Sequence, residues 1–567
     1  MADDTRTGAD LLVDALEQYG VTHVFGNPGT TELPVVQALS DADLEYVLAL
    51  HEDIAVGMAG GYASTRRYHA HDDDSVLPVG FVNLHIAPGL AHGLGNLYGA
   101  MMAGAPLVVT AGNHSRDFRH EEPILSGDLV DLAEPFTKWS AEVLDVAALP
   151  TMLRRAFRVA TTPPTGPVFL GLPLDVMLAE TGADPERLGP APNAGRGDPA
   201  QVARAAELLV EADNPVIVVG DGVARAGADA VSAVVDLAEA AGARVHGEIL
   251  SSEVNFPSDH EQWVSFVPPD EDRVAALQST DLIAFVGTST HTTLTRHERP
   301  LVEPSTTCIH VGDDAWELGK NHPADAAVLG DPGLVAAELA ELVAERVSPD
   351  ERAARLERVE AMAEAVTERT AAAEDDAADD WRASKFELAE ALREVAGDAH
   401  VVDEGVTAKY AMQTRWEMRP TRYLSNKGGG LGYGLPAAVG ATFAERERAR
   451  EGGEARDVLG FVGDGSYLYY PHALYTAARY DLDLTVVVVD NRNYRILKDN
   501  TLKLLGGEER DHEFVGMDFE PPVDIPANAE SHGARGTLVD DPEAIEEEVR
   551  AAMGRAGPDV LDVLVHD

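Results

Sequence analysis

The feature that most constrains this sequence is a pair of short apolar runs, each followed at once by polar residues. Residues 459–462 precede Gly-Asp-Gly-Ser at 463–466, and the Val-rich run 484–489 precedes Asp-Asn-Arg-Asn at 490–493. Such runs are typical of buried parallel strands, and the intervening residues 467–480 predict a helix. The pattern therefore predicts a strand-helix-strand unit with polar side chains at the carboxyl edge of a sheet, where ligands bind in open α/β folds.

The polar residues of this unit suit a diphosphate held through a metal ion. The candidate diphosphate contacts are Gly463, Gly465 and Ser466. The two glycines let the main chain approach a bulky anion and turn into a helix, whose first amides favour negative charge. Asp464, the Asn491 side chain and a carbonyl near Asn493 offer three oxygens, which leaves an octahedral Mg²⁺ room for phosphate oxygens and a water.

A second Gly-Asp-Gly shows how weak the triplet is alone. Residues 216–219 form another apolar run, and Gly-Asp-Gly follows at 220–222. The next run is followed by His-Gly-Glu at 246–248, without an Asp-Asn or Asn-Asn pair. We interpret this copy as a structural turn between a strand and a helix.

Length and composition exclude several classes of protein. At 567 residues the chain is too long for one core, and two to four domains are expected. It has no apolar run long enough to cross a membrane, and residues 1–10 are too polar for a secretory signal. The single cysteine, Cys308, excludes a disulfide framework and fits a cytoplasmic protein.

The net charge is the most unusual bulk property. The chain has 97 acidic and 44 basic residues, for a formal charge of −53. Such a surface repels nucleic acid and anionic membranes, and it stays hydrated where salt screens its self-repulsion. Because the acidity runs along the whole chain, a high-salt cytoplasm explains it better than recruitment of a basic partner.

The first third of the chain alternates between strand and helix patterns, and three strands end in candidate site residues. Thr30, Glu52 and His85 follow the predicted strands 22–25, 46–50 and 79–82. Because parallel strands end at one edge, we expect the three side chains to converge. Taken alone, Glu52 is better explained as a first-turn carboxylate, and His85 as a structural histidine.

Three motifs resemble those of thiamine diphosphate (ThDP) enzymes. In that family an Asn pair follows Gly-Asp-Gly at this spacing; here its first member is Asp490, and Asn491 stands at the metal-ligand position. Residues 50–52 with 58–63 resemble the pyrimidine-domain motif, and 428–436 resemble the Gly-Gly-Leu-Gly loop. The resemblance implies ThDP and Mg²⁺ as cofactors.

The same resemblance implies roles for four residues. Glu52 would bond the N1′ nitrogen of the cofactor, which turns its 4′-amino group into an imine able to deprotonate C2. The Gly429 carbonyl would accept a hydrogen bond from the 4′-amino group. Leu431 would force the cofactor into its bent shape, and Thr407 would bond the diphosphate.

Within the family, the segments 25–34 and 83–85 most resemble the benzoylformate decarboxylases. The resemblance implies that Thr30, a Ser in those enzymes, binds the substrate carboxylate and that His85 relays protons. It also implies a second active-site histidine. His291 and His297 are both candidates, and each is equally explained as a histidine of a surface loop. Ile496 falls at a substrate-pocket position. Nearby Arg495 and Lys498 depart from the decarboxylase pattern, and they open the possibility of a more polar 2-oxo acid.

The sequence thus predicts an α/β protein of three doubly wound parallel-sheet domains. Residues 1–185 are the expected pyrimidine-binding domain, 190–345 the central domain, 346–383 an acidic helical linker and 384–567 the diphosphate-binding domain. The central domain holds FAD in some relatives, but no Arg-rich flavin-contacting pattern is present, so FAD is not expected.

The predicted activity is non-oxidative decarboxylation of a 2-oxo acid to an aldehyde and CO₂. The alternatives are an acetolactate synthase-like carboligase, which joins two 2-oxo acids, and a non-catalytic ThDP-binding subunit. The resemblance implies a homodimer or homotetramer with active sites at subunit interfaces. Neither nucleic acid nor a membrane is an expected partner.

Overall fold

The computed structural model describes residues 6–267, 274, 279–289, 292, 299–375 and 380–567. The chain divides into two compact units. One consists of the residues up to 191 together with Trp381–Trp416 and Leu424–Asp567, and the other of Pro192–Asp380 with Glu417–Tyr423.

The N-terminal part of the first unit is a six-stranded parallel sheet with strand order β3-β2-β4-β5-β7-β6, and β1 pairs separately with β8. The capping box of Thr7 and Asp10 starts the first helix, and Gly20, with a φ of 80°, ends it. Its elements are β1 (Arg6–Thr7), α1 (Gly8–Tyr19), β2 (His23–Gly26), α2 (Leu33–Leu39), β3 (Glu45–Leu48), α3 (Glu52–Asp72), β4 (Gly80–Leu84), α4 (Ile86–His92), α5 (Leu94–Ala103), β5 (Leu107–Asn113), α6 (Leu129–Ala133), β6 (Ser140–Glu142), α7 (Leu149–Thr161), β7 (Val168–Pro173), α8 (Leu174–Met177) and β8 (Glu180–Thr181).

The second unit has its own parallel sheet, in the order β11-β10-β9-β12-β13-β14. Asp221, in the second Gly-Asp-Gly, is buried and accepts hydrogen bonds from Ser251, Ser252 and Asn255, which is consistent with a structural role. The elements are α9 (Pro199–Glu211), β9 (Pro215–Val219), α10 (Asp221–Ala226), α11 (Ala228–Ala241), β10 (Arg244–Gly247), β11 (Trp263–Phe266), β12 (Leu282–Val286), β13 (Thr307–Gly312), β14 (Ala326–Leu329), α12 (Pro332–Ala344) and α13 (Pro349–Asp375).

The C-terminal part of the first unit forms a third sheet, in the order β16-β15-β17-β18-β20-β19. β18 is buried along its whole length and β17 up to Val462, as the apolar runs predict. The elements are α14 (Lys385–Ala396), β15 (His400–Glu404), α15 (Lys409–Arg415), β16 (Tyr423–Ser425), α16 (Gly434–Arg450), β17 (Val458–Gly463), α17 (Asp464–Tyr467), α18 (Ala473–Arg479), β18 (Leu484–Asp490), α19 (Arg495–Leu505), α20 (Ile525–Ser531), β19 (Arg535–Val539), α21 (Ile545–Met553) and β20 (Asp559–Leu564).

The structure confirms three α/β domains with parallel sheets and corrects one helix. The single helix predicted over 467–480 is wrong, because α17 ends at Tyr467 and α18 starts only at Ala473. Pro471 lies in the gap, and proline lacks the amide hydrogen that a continuous helix needs. No helix among the described residues is long and apolar enough to cross a membrane.

Helices α3 and α16 join the N- and C-terminal parts of the first unit. A Cβ atom at Gly61 would clash with the Ala437 carbonyl oxygen, and one at Gly440 would clash with that of Met58. Glycine therefore lets the two helix backbones approach closely. One core cluster contains buried apolar residues of both parts, including residues of α3 and α16, so the ends of α3 and α16 hold fixed positions relative to each other.

Candidate active site

The predicted metal ligands lie together at the ends of two neighbouring parallel strands. β17 pairs with β18 in register, Gly463 opposite Val489, so Asp464 and Asn491 follow at the same edge. Asp464, Asn491 and Asn493 are all buried. Asp464 Oδ2, Ser466 Oγ and Asn493 Oδ1 have no hydrogen-bond partner among the described residues. Buried oxygens without partners are costly unless a cation or water binds them, so these residues fit Mg²⁺.

The electrostatics of this edge also favour a cation. Burial, together with the neighbouring Asp490 carboxylate, raises the pKa of Asp464 to about 8. Burial and the same Asp490 raise the pKa of Asp562 to about 8. Three carboxylates in so small a volume repel one another, and a bound divalent ion would remove that repulsion.

The two candidate amide ligands are held by a residue that the sequence analysis missed. Asp567 accepts a 2.6 Å hydrogen bond from Asn491 Nδ2 and a 3.1 Å bond from Asn493 Nδ2. With their nitrogens fixed in this way, the amide oxygens of both side chains turn away from Asp567. Only the folded chain brings residue 567 to this loop, so no sequence motif could have indicated it.

The Gly-rich loop has the exposed, left-handed backbone that close approach to a cofactor needs. Gly429 has a φ of 73°, and a Cβ atom placed on it would touch nothing within 4 Å. Leu431 is half-buried. Thr407 lies in the turn after β15, directly after Val406, whose φ of 49° is strained for a β-branched residue. Gly465 packs so closely on Tyr494 that a Cβ atom would lie 2.5 Å from its ring.

Glu52 occupies the first position of α3 and is nearly buried. His51 caps the helix by accepting a 3.1 Å hydrogen bond from the Asp53 amide. The Glu52 carboxylate accepts a 3.1 Å hydrogen bond from His92 Nδ1. Asp53 accepts one from the hydroxyl of Tyr470, 2.9 Å away in the C-terminal part. The start of α3 is thus fixed from both sides of the first unit.

His85 lies next to Glu52 and is held by Glu32, a second missed residue. A Cβ atom at Gly89 would lie 3.0 Å from Glu52 Oε1 and 3.1 Å from the Cβ of His85, so these residues flank Gly89. His85 Nδ1 lies 2.8 Å from Glu32 Oε2. A Cβ atom at Gly29 would overlap the His85 ring, and the exposed Thr30 follows Gly29 in the chain.

Glu32 is fully enclosed and satisfied by hydrogen bonds. Its Oε1 accepts hydrogen bonds from the Gly112 amide at 2.9 Å, the Ile86 amide at 3.3 Å and the Thr31 hydroxyl at 2.6 Å. Ile86 has a φ of 31°, rare for a β-branched residue, and strain of this kind concentrates at functional sites. A carboxylate three residues from the Asn-Pro-Gly segment was the only available signal.

The structure gives less support to the other residues predicted near the substrate. Ile496 is half-buried in the first turn of α19. Arg495 pairs with Asp499 at 2.7 Å, and Lys498 pairs with Asp518 at 2.6 Å, so neither cation lacks a counter-charge. His291 and His297 lie outside the described residues.

Two α/β domains joined along α3 and α16, with a buried acid starting α3 and unpartnered oxygens after β17, define the class of ThDP-dependent enzymes. Three family models match: the N-terminal thiamine pyrophosphate-binding domain over residues 6–135, the central domain over 202–339 and the C-terminal binding domain over 403–563. The chain belongs to the thiamine pyrophosphate (ThDP) enzyme family, as its motifs predict.

Within the family, the chain is similar to decarboxylases and to acetolactate synthases. The chain is 31% identical to benzoylformate decarboxylase of Pseudomonas aeruginosa over 98% of both chains. It is 27% identical to a probable acetolactate synthase large subunit of Methanocaldococcus jannaschii, over 98% of this chain and 92% of that one. The structure matches the ThDP-dependent 4-hydroxybenzoylformate decarboxylase of Rhodococcus jostii RHA1 with a TM-score of 0.81 and 28% identity, covering 99% of each chain.

Proposed function

We propose that this protein catalyses the ThDP- and Mg²⁺-dependent, non-oxidative decarboxylation of a 2-oxo acid to an aldehyde and CO₂. The observation that carries the proposal is the Glu32–His85 pair, because it places an oriented acid–base group next to Glu52. When bound, the cofactor supplies the nucleophilic carbon and the electron sink for loss of CO₂.

His85 is the proposed proton carrier. The Glu32 carboxylate can only accept, so His85 Nδ1 carries a hydrogen and Nε2 is the atom free to take up or release a proton. Release of an aldehyde needs one proton at the carbon that lost CO₂, and Nε2 supplies it. The exposed Thr30, which follows the glycine packed on this ring, donates a hydrogen bond from its hydroxyl to the substrate carboxylate.

The other residues bind and orient the cofactor. Asp464, Asn491 and Asn493 hold Mg²⁺, and Gly463, Gly465, Ser466 and Thr407 contact the diphosphate. Glu52 shares a proton with the pyrimidine ring, which Gly429 and Leu431 hold in place. The unpartnered oxygens at the end of β17 support this assignment of the metal ligands.

Carboligation of two 2-oxo acids is the second candidate. The similarity to the Methanocaldococcus jannaschii protein supports it, because the two reactions share their first steps and diverge in what the active site then admits. A non-catalytic ThDP-binding subunit is disfavoured, since Glu52 and the three metal-binding candidates are all present.

The test is product analysis on pyruvate, 2-oxobutyrate and benzoylformate with ThDP and Mg²⁺ in high salt. Glu52→Gln is expected to lose at least about 100-fold in kcat, and Glu180→Gln, at an exposed carboxylate of the same domain, should match the wild type. Aldehyde and CO₂ support the decarboxylase, acetolactate from pyruvate supports the carboligase, and silence on every acid with ThDP bound contradicts the substrate class.

We also propose that the active form is a homodimer or homotetramer. Tyr98, Met101 and Met102 expose apolar surface on α5. The Gly-rich loop lies against this helix, since a Cβ atom at Gly428 would be 2.7 Å from the Gly99 Cα. A second copy covering α5 would therefore border the cofactor site. Light scattering in high salt checks this, and a monomer with full turnover would contradict it.

A further inference from the structure

The carboxylate of Glu404 is buried at the same sheet edge as the metal loop. Glu404 is the last residue of β15, is 2% exposed and pairs in register with Val462, two residues before Asp464. None of the roles proposed above uses it. A charged group so deeply buried requires compensation from hydrogen bonds.

All four hydrogen bonds that this carboxylate accepts from the described residues come from one segment, residues 426–434, which leads through the Gly-rich loop to the start of α16. Oε1 accepts from Asn426 Nδ2 at 2.6 Å and from the Tyr433 amide at 3.3 Å. Oε2 accepts from the Gly432 amide at 3.2 Å and from the Gly434 amide at 2.8 Å. Every partner is a donor, so the arrangement is built for an ionised carboxylate.

These hydrogen bonds cap the start of α16. The residue before this helix, Tyr433, provides no side-chain cap, and the first amides of a helix have no partner within it. The Glu404 carboxylate takes that place from a neighbouring strand, and its negative charge suits the positive end of the helix. A Cβ atom at Gly434 would lie 2.7 Å from the Glu404 Cβ, so the helix starts directly against this side chain.

Asn426 extends the connection to the residues assigned to the cofactor. Its Nδ2 donates to the Gly430 carbonyl at 2.5 Å, and its Oδ1 accepts from the Gly429 amide at 3.0 Å. One amide side chain thus fixes the peptide groups on both sides of the exposed turn. Glu404 holds Asn426 in turn, so the carboxylate governs the turn without touching the cofactor.

Burial opposes the charge on which this arrangement depends. It raises the pKa of Glu404 to about 7, and the hydrogen bonds from Gly434, Asn426, Tyr433 and Gly432 act against that rise. The loop is therefore held by a group whose charge exists only because these donors are in place.

We infer that Glu404 is a positioning residue for ThDP, which sets the shape of the loop through Asn426 and the start of α16 and thereby its affinity for the aminopyrimidine ring. The inference rests on the cofactor contacts proposed for Gly429 and Leu431. It goes beyond them by assigning the control of ThDP binding to a carboxylate for which no contact with the cofactor is proposed.

The test measures the ThDP dissociation constant by calorimetry in the presence of Mg²⁺, and the melting temperature of the apo-protein. Glu404→Gln has the same shape but presents an amide group to donors. The expected result is about 10- to 100-fold weaker ThDP binding, the range for loss of hydrogen bonds to a charged group. kcat should recover at saturating ThDP, because Glu404 does not contact substrate.

Two further variants make the result decisive. Asn426→Ala removes the connection to the turn and leaves the Glu404 carboxylate in place, so it should also weaken ThDP binding. If Glu404→Gln does not fold, the ThDP affinity of Asn426→Ala tests the inference. Glu445→Gln removes a different buried carboxylate, which lies on α16 and pairs with His69 away from the loop. It should lower the melting temperature and leave the ThDP dissociation constant within about twofold of the wild type.

The inference is overturned if folded Glu404→Gln and Asn426→Ala bind ThDP as the wild type does, or if Glu445→Gln weakens binding equally. Failure of the proposed reaction would look different: wild-type protein would bind ThDP and release no CO₂ from any acid. In that case the dissociation constants would still measure the role of Glu404.

Discussion

The buried Glu32 and the partly exposed His85 form an acid–base pair, with His85 Nδ1 2.8 Å from Glu32 Oε2. They come from different elements, since Glu32 directly precedes α2 and His85 directly follows β4. Three other donors hold the carboxylate in place, so the imidazole has one orientation and one favoured tautomer.

This pair predicts that Glu32→Gln impairs catalysis without impairing the fold. The glutamine oxygen can still accept from the Gly112 and Ile86 amides, but its NH₂ group would donate to Nδ1 and move the ring hydrogen to Nε2. We expect kcat to fall by about 100-fold, the lower end of what a positioned acid–base group contributes.

Steady-state kinetics on the acid identified as substrate checks the effect of Glu32→Gln. KM and the ThDP dissociation constant should stay near the wild-type values, and Glu122→Gln, at an exposed carboxylate of the same domain, is the matched control. An unchanged kcat would remove His85 from the proposed proton path.

Asp464→Asn is expected to separate stability from cofactor binding. Asp464 is buried beside Asp490, so without a cation its charge is destabilising. Replacing it with a neutral amide should stabilise the apo-protein at pH 7 by at least about 1 kcal/mol, since each unit by which the pKa is raised corresponds to about 1.4 kcal/mol. The same change removes a proposed metal ligand and should abolish the rise in melting temperature that Mg²⁺ and ThDP together are expected to produce.

Differential scanning calorimetry with and without Mg²⁺ and ThDP measures both effects of Asp464→Asn. Asp483→Asn, which neutralises a carboxylate on the surface before β18, controls for the change in net charge. A variant that is less stable as apo-protein, or that keeps the full cofactor-induced rise, would contradict the assignment of Asp464 to the metal.

Local pattern and family motifs predicted the strands, the sheet edge and the residues at it, because buried parallel strands have a strong apolar signature. They did not predict the groups that hold those residues. Glu32, Glu404 and Asp567 reach their partners across the fold, and only Glu32, which closely follows Asn-Pro-Gly, has a sequence signal near it. The prediction of one helix over 467–480 was wrong for a local reason, because it followed the apolar pattern and gave too little weight to Pro471.

The central unit should lose stability in mild acid through His246. Burial, with the nearby charge of Arg244, lowers the pKa of His246 to about 3 from 6.5. A depressed histidine pKa contributes stability that is present above pH 6.5 and is lost as pH falls toward 3. The expected slope is up to about 1.4 kcal/mol per pH unit in this window.

Denaturant unfolding at a series of pH values in high salt measures the contribution of His246. His246→Gln should flatten the acid slope, whereas His260→Gln, at a histidine nearer the surface of the same unit, should keep it. Equal slopes for His246→Gln and the wild type would show that other groups cause the acid sensitivity.

The excess of acidic residues predicts a protein whose stability rises with salt. Exposed Glu360, Glu364 and Glu368 stand four residues apart on α13, where like charges repel by about 0.2–0.5 kcal/mol per pair. Glu364→Lys turns both repulsive pairs into attractive ones, so it should raise the melting temperature at low salt. In 2 M KCl, where the screening length is below about 3 Å, it should have almost no effect. Glu364→Gln should give about half the gain.

Thermal melts of the wild type and the two variants across KCl concentrations measure these effects. A gain from Glu364→Lys that persists in 2 M KCl would assign the effect to helix propensity. A wild-type melting temperature independent of KCl would contradict adaptation of the surface to salt.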